Sequence, residues 1–208
     1  MVNEGTQAST FVRQKIERLL NSKNESATRA TLANLRRGLG KPPGSMPELW
    51  ADTLEGLPNT LAGTTGGPTR GEWAVHTALT LFALHQQGKD PRRKPMSRAG
   101  ESLGMSLRRL VKSEDDLARV KRRFDAAATA HSPEEFSHHL RGLVQLLKAE
   151  DIPLDYPALA EDLYWFQFPQ ARDNLRLHWG RDFYHVAARD TQDPDNTDEG
   201  KDDTDENQ

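Results

Sequence analysis

The chain has 208 residues, 35% of them hydrophobic, a length that admits one domain or two small ones. It has no cysteine, which excludes disulfides, thiolate metal sites and a cysteine nucleophile and fits a reducing compartment. The net charge of −3 hides a division, because residues 190–208 hold nine carboxylates and one lysine while the rest carries 27 basic against 22 acidic groups. No apolar run approaches the roughly 20 residues that cross a bilayer, and the start, MVNEGTQAST, lacks the basic and apolar parts of a signal peptide. A soluble, cytoplasmic protein without membrane contact is expected.

The first ten residues show no apolar period and are expected to be flexible. FVRQKIERLLN, Phe11 to Asn21, places Val12, Ile16, Leu19 and Leu20 on one helical face, and Leu32, Leu35 and Leu39 continue the pattern after Ser26. Both helices have basic outer faces. LRRGLGKPPGSMPELW, Leu35 to Trp50, then redirects the chain at Gly40–Gly44, and Pro47 suits the first turn of a short helix holding Leu49, Trp50 and Leu54. Gly56 to Thr69 reads as a long loop. Thr69 and Glu72 form a capping box for a helix over Arg70–Gln87, apolar nearly all round and so expected at the centre of a core.

Gly88 to Gly104, GKDPRRKPMSRAGESLG, has no periodicity. Four helix starts follow: Ser113 with Asp116, Ser132 with Pro133 and Glu135, Asp155 near Pro157, and Pro169. No segment alternates at period two for long enough to be a strand. The expected fold is all-α, with two small helical bundles, 11–98 and 99–189, joined by a basic linker. Residues 190–208 contain no apolar side chain and are expected to be a disordered acidic tail, either solubilising or competing with a polyanion for the basic body.

Catalytic readings find little support. There is no HExxH; His138 and His139 are adjacent, so on a helix they point about 100° apart and do not share a metal. LGK lacks the GxxxxGK[ST] of a phosphate loop. Glu134, Glu135, Asp115 and Asp116 fall in first turns, where the helix dipole accounts for them. No catalytic residue, metal or cofactor is assigned.

Positive charge is the remaining signal. Lys89 to Arg123 holds twelve Lys or Arg against five Asp or Glu, in groups around Arg92, Arg93 and Arg98, then Arg108, Arg109 and Lys112, then Arg119, Arg122 and Arg123. On a helix Arg108 faces with Lys112, and Arg119 with Arg122 and Arg123, a spacing suited to phosphates; an ordinary solvated helix face gives the same pattern. No recognition helix, zinc finger or base-stacking signature is present.

Four segments together resemble the CasB family, the small subunit of Cascade, the type I-E CRISPR surveillance complex. They are LRRGLGKPPGSMPELW, GMSLRRLV at Gly104–Val111, RRFDAAATAHSPEEFSHHLRGLVQLL at Arg122–Leu147, and IPLDYPALAEDLYWF at Ile152–Phe166. The similarity runs over about residues 11 to 187, and the acidic tail lies outside it. It implies a non-enzymatic helical protein of two bundles, forming a head-to-tail dimer in Cascade with the other subunits and the guide RNA. It also implies a task, helping to hold the target and displaced DNA strands opened by guide pairing.

The resemblance assigns phosphate contacts to Arg37, Arg109, Arg122 and Arg141, with Arg36 beside the first, and Arg37, Arg109 and Arg122 are expected on one continuous basic surface. Gly142 stands where the family's pattern has a second arginine, so that contact is either missing or supplied from elsewhere, with Lys148 the candidate. GLGKPPG then reads as a rigid turn, with Trp50 packing the following helix into the core. A free-standing, non-sequence-specific helical DNA- or RNA-binding protein is the alternative, and would share the basic residues without assembling on partners.

Overall fold

A computed structural model describes residues 3–64 and 66–190, with side chains through Tyr184. Among these residues the chain is built from α-helices. They are α1 (Glu4–Asn21), α2 (Glu25–Arg37), α3 (Trp50–Thr53), α4 (Arg70–Gln86), α5 (Leu103–Arg108), α6 (Glu114–Ala128), α7 (Pro133–Ala149), α8 (Tyr156–Phe166) and α9 (Arg172–Asp190), with short 3-10 turns at Pro47–Leu49 and Pro169–Ala171. The all-α reading therefore holds, and the acidic tail lies outside the described residues.

The caps fall where the sequence marks them. Thr69 and Glu72 make the reciprocal capping box of α4, while Ser113, Ser132 and Asp155 accept from backbone amides three residues on. The first turns of α1 and the whole of α5 escape the apolar pattern. α1 starts at Glu4, capped by Asn3, so residues 4–10 are helical where flexibility was expected. The reason is the small residues: Gly5 lies against the Trp165 indole with no room for a Cβ, and Ala8 and Ser9 are buried. Small residues bring helices close without lending an apolar period. α5 is short and capped by Ser102, and its Gly104 rests on the α9 backbone at Trp179 and Phe183.

One core of buried side chains runs through both halves of the sequence, from Val12 and Leu35 through Phe82 to Phe136, Phe166 and Trp179. At its centre is α4, as expected, packed against α1, α2, α7 and α8. Phe136 stacks on Phe166 with ring centres 4.1 Å apart and on Trp179 at 5.4 Å. Each such side chain contributes about 1.5–3 kcal/mol by burial.

The helices do not sort into an 11–98 bundle and a 99–189 bundle on either side of a linker. α8 belongs to the second half in sequence, yet it packs chiefly on α1 and α4; α5 packs on α9, and α6 on α7. The segment expected to be a linker is instead a clasp. The buried Gln86 side chain donates to the carbonyls of Lys89 and Lys94 and accepts from the Met96 amide. Leu154 N–H then donates to Met96 O, Arg98 N–H to Leu154 O and Asp155 N–H to Glu101 O, at 2.7–3.2 Å. These partners lie more than fifty residues away, so sequence-local pattern carries no trace of them.

Candidate nucleic-acid interface

The turn after α2 is fixed from three directions. Gly40 and Gly44 have φ of 77° and 76°, a left-handed conformation that glycine adopts without strain. His76 Nε2 donates to Gly38 O at 3.1 Å, and Trp50 Nε1 donates to Gly44 O at 2.9 Å. The rigid turn is therefore present, but Trp50 does not pack into the core. It is 49% exposed and braces the turn from outside, because its indole N–H has a backbone carbonyl to satisfy there.

This turn forms one wall of a cleft of about 610 Å3 whose other walls come from α4 and α7. Lys41 enters from the turn, Arg70 from the first residue of α4 and Arg141 from α7, all exposed. Arg70 lies over the Phe168 ring at 4.5 Å, which orients its guanidinium. None of the three has a carboxylate within ion-pair distance among the described residues, and Glu134 is the acidic residue of the lining. Both α4 and α7 present their N-terminal ends to the cleft, adding the positive ends of two seventeen-residue helices. His138 is shared with an adjoining cleft lined by Arg123, His139 and Gly142.

The cations of the Lys89–Arg123 run are arranged differently. Arg93 pairs with Asp90 at 3.7 Å, Arg119 with Asp116 at 2.8 Å and Lys121 with Asp125 at 2.5 Å. Glu101, whose side chain is only 14% exposed, takes both Arg98 at 3.9 Å and Arg109 at 2.8 Å. Lys112 pairs with Glu150 at 2.6 Å, Arg92 with Glu25 at 3.5 Å, and Lys89 and Lys94 both with Asp151 at 2.5 Å. The two lysines hold the Asp151 carboxyl down at about 2. Arg108, Arg122 and Arg123 have no such partner among the described residues.

Of the residues that the family resemblance singles out, Arg37 pairs with Glu48 at 3.1 Å and Arg109 with Glu101, whereas Arg122 and Arg141 have no ion-pair partner among the described residues. Arg37, Arg109 and Arg122 lie on α2, at the end of α5 and on α6, and neither of the clefts above gathers any of them. Arg36 and Arg92 do meet, with Arg29 and Lys89, around a third cleft of about 460 Å3, where Glu25 bridges Arg29 and Arg92. Lys148 donates to Gln87 Oε1 beside this cleft, and burial with the nearby charges of Lys89 and Arg36 lowers its pKa. It therefore lies away from the cleft lined by Gly142.

The sequence reading missed Lys41 and Arg70. A capping box signals the α4 start that places Arg70, but nothing local joins it to Arg141. No group of His, Asp and Glu among the described residues is placed to hold a metal ion, and none of their helices is long and apolar enough to cross a membrane.

The sequence profile of the CRISPR-associated protein Cse2 family matches residues 31–184. The chain is similar to CasB from Thermobifida fusca, with 33% sequence identity and a TM-score of 0.69 over 88% of this chain and 99% of that one. CasB of M. ruber shares the fold at 22% identity and a TM-score of 0.61, covering 92% of this chain and 98% of that one. A chain of a CRISPR RNA-guided surveillance complex does so at 20% identity and 0.65, covering 91% and 100%. No curated protein sequence matches.

Proposed function

Because the chain belongs to the CRISPR-associated Cse2 family, we propose that it is the small, non-catalytic subunit of a Cascade-type CRISPR surveillance complex, holding nucleic acid by its backbone. In this role it assembles with the other subunits and a guide RNA as a head-to-tail pair, and stabilises target DNA opened by pairing. Its working place is the cytoplasm. Strand exchange between a DNA duplex and a guide heteroduplex is nearly balanced, so a few phosphate contacts decide its direction.

The observation that carries this reading is the cleft in which Lys41, Arg70 and Arg141 converge without ion-pair partners among the described residues. Unpaired cations at the mouth of a cleft give up no internal contact when a phosphate arrives, whereas a paired one exchanges one anion for another. Backbone contacts give affinity without sequence preference.

Filter binding of the full chain to single- and double-stranded DNA of several sequences, at several salt concentrations, tests the contact. Affinity should fall steeply with salt and change little with sequence. A tight, salt-insensitive preference for one sequence would overturn the reading. Co-purification with guide RNA and the other surveillance-complex subunits tests the assembly, and a chain that binds DNA but never joins them would be a free-standing binding protein.

A further inference from the structure

We propose that the cleft between α4, α7 and the Leu39–Pro43 turn is a pocket for one unstacked nucleotide of a single strand, taking its base as well as its phosphate. The inference rests on the nucleic-acid reading above and adds a ligand of defined size and chemistry. Three features distinguish a nucleotide from a bare phosphate or from the carboxylate of a protein partner.

The first is size. At about 610 Å3 the cleft lies within the roughly 300–1,000 Å3 of sites that enclose small organic ligands, far more room than an isolated anion requires. The second is the wall. Trp73, half-buried on the first turn of α4, lines the cleft on the same side as Arg70, so an aromatic surface stands beside the cations. Base stacking on an aromatic side chain is the usual sequence-tolerant way to hold a single strand.

The third is a polar group that an anion cannot satisfy. His76 lines the cleft, is 4% exposed, and donates from Nε2 to Gly38 O. That bond sets the tautomer and leaves Nδ1 as an acceptor, which makes no hydrogen bond among the described residues. Burial lowers the His76 pKa, so the ring stays neutral at physiological pH. Phosphodiester and carboxylate oxygens bring acceptors only, whereas a nucleobase brings an amino or imino N–H. The phosphate is left to Lys41, Arg70 and Arg141. Both helix ends at the cleft are already capped by their own side chains, so they contribute their dipoles rather than free donors. Glu134 is the opposing charge in the lining among the described residues.

Saturation-transfer NMR of the full-length protein with dAMP, read at the base protons, tests this pocket against ordinary backbone binding. Transfer is expected at millimolar dAMP, with deoxyribose 5-phosphate, inorganic phosphate and an oligo-aspartate peptide each competing at least tenfold less well. Ser137→Trp, which fills the cleft from α7, should abolish transfer. Lys41→Glu, on the exposed turn, should weaken dAMP about tenfold and serves if the tryptophan variant does not fold.

Absence of base-proton transfer, its persistence at full strength in both variants, or equal competition by phosphate or the peptide would each overturn the proposal. A wild-type chain that binds single-stranded DNA without transfer loses the pocket alone. One that binds no DNA at any salt concentration loses the nucleic-acid reading as well.

Discussion

Between Lys89 and Arg123 positive charge is dense along the chain, and nine of the twelve cations there end in an ion pair. In the cleft over α4 it is sparse along the chain, since Lys41, Arg70 and Arg141 are tens of residues apart, and none of the three has an ion-pair partner among the described residues. The difference lies in where the carboxylates come from. Glu25, Asp125, Glu150 and Asp151 neutralise the run from outside its own sequence, so a local count of charges overstates what the folded surface offers. Charge density in sequence and charge available to a ligand are separate quantities.

The sharpest way to break this comparison is to remove three cations from each region. Lys41, Arg70 and Arg141 changed together to alanine should lower the slope of log affinity against log salt by roughly 2 to 3, a loss on the order of 100-fold at 0.1 M salt. Arg93, Arg119 and Lys121 changed together should lower it by less than about 1. Equal losses in filter binding would show that pairing on the surface does not withhold a cation from phosphate.

Next comes an addition. Gly142 sits within α7 with nothing near the position of a Cβ, in the cleft that also holds Arg123 and His138. Gly142→Arg should stabilise the protein by about 0.5–1 kcal/mol, because glycine costs a helix interior that much, and should steepen the salt slope by about 0.7–0.9. Urea melts and salt titrations measure the two effects separately. A slope left unchanged would limit the useful charge to the cleft over α4.

A smaller effect is expected from releasing the paired arginines. Glu101→Gln removes the carboxylate shared by Arg98 and Arg109. DNA affinity at low salt should rise two- to fivefold, a few tenths to about 1 kcal/mol for the two freed cations together. No change would mean that these two arginines face away from the bound strand.

His76, buried beneath the turn carrying Lys41, is costly to protonate. Burial holds its pKa below the ordinary 6.5, so its contribution to stability is complete above about pH 6.5 and is lost as the pH falls below that value. His85, lowered to about 4, mainly by burial, acts in the same direction. His76→Gln should make the acid limb of a stability-versus-pH curve shallower by up to ~1.4 kcal/mol per pH unit. An unchanged limb would assign acid sensitivity to other groups.

Smallest of all is the acidic tail. Cutting after Arg189 should tighten DNA binding less than threefold at low salt and not at all at high salt, because free charges are screened beyond about 8 Å at physiological strength. Equal affinity at low salt would leave the tail a solubilising segment.

The legible part of the molecule was what neighbouring residues decide. Helix starts at Thr69, Ser113, Ser132 and Asp155 could be read because capping is a matter of three or four positions. α4 was legible as central because its apolar residues surround it. What could not be read depends on partners far along the chain: Gly5 beneath Trp165, the clasp of Met96 and Arg98 on Leu154, and the meeting of Lys41 with Arg141. Family resemblance supplied Arg141, but it also suggested a role for Trp50 that its exposed position does not bear out.

The packing of α1 against α8 also constrains how the protein is made. The Ala8, Phe11 and Val12 face that α8 helps to cover emerges from the ribosome about 150 residues before the end of α8. At roughly 5–20 residues per second, that face waits on the order of 10 to 30 seconds for its partner. The first half of the chain therefore cannot finish folding during its own synthesis. A stalled ribosome or an early stop codon would release an incomplete chain with its apolar face uncovered, rather than a smaller working domain.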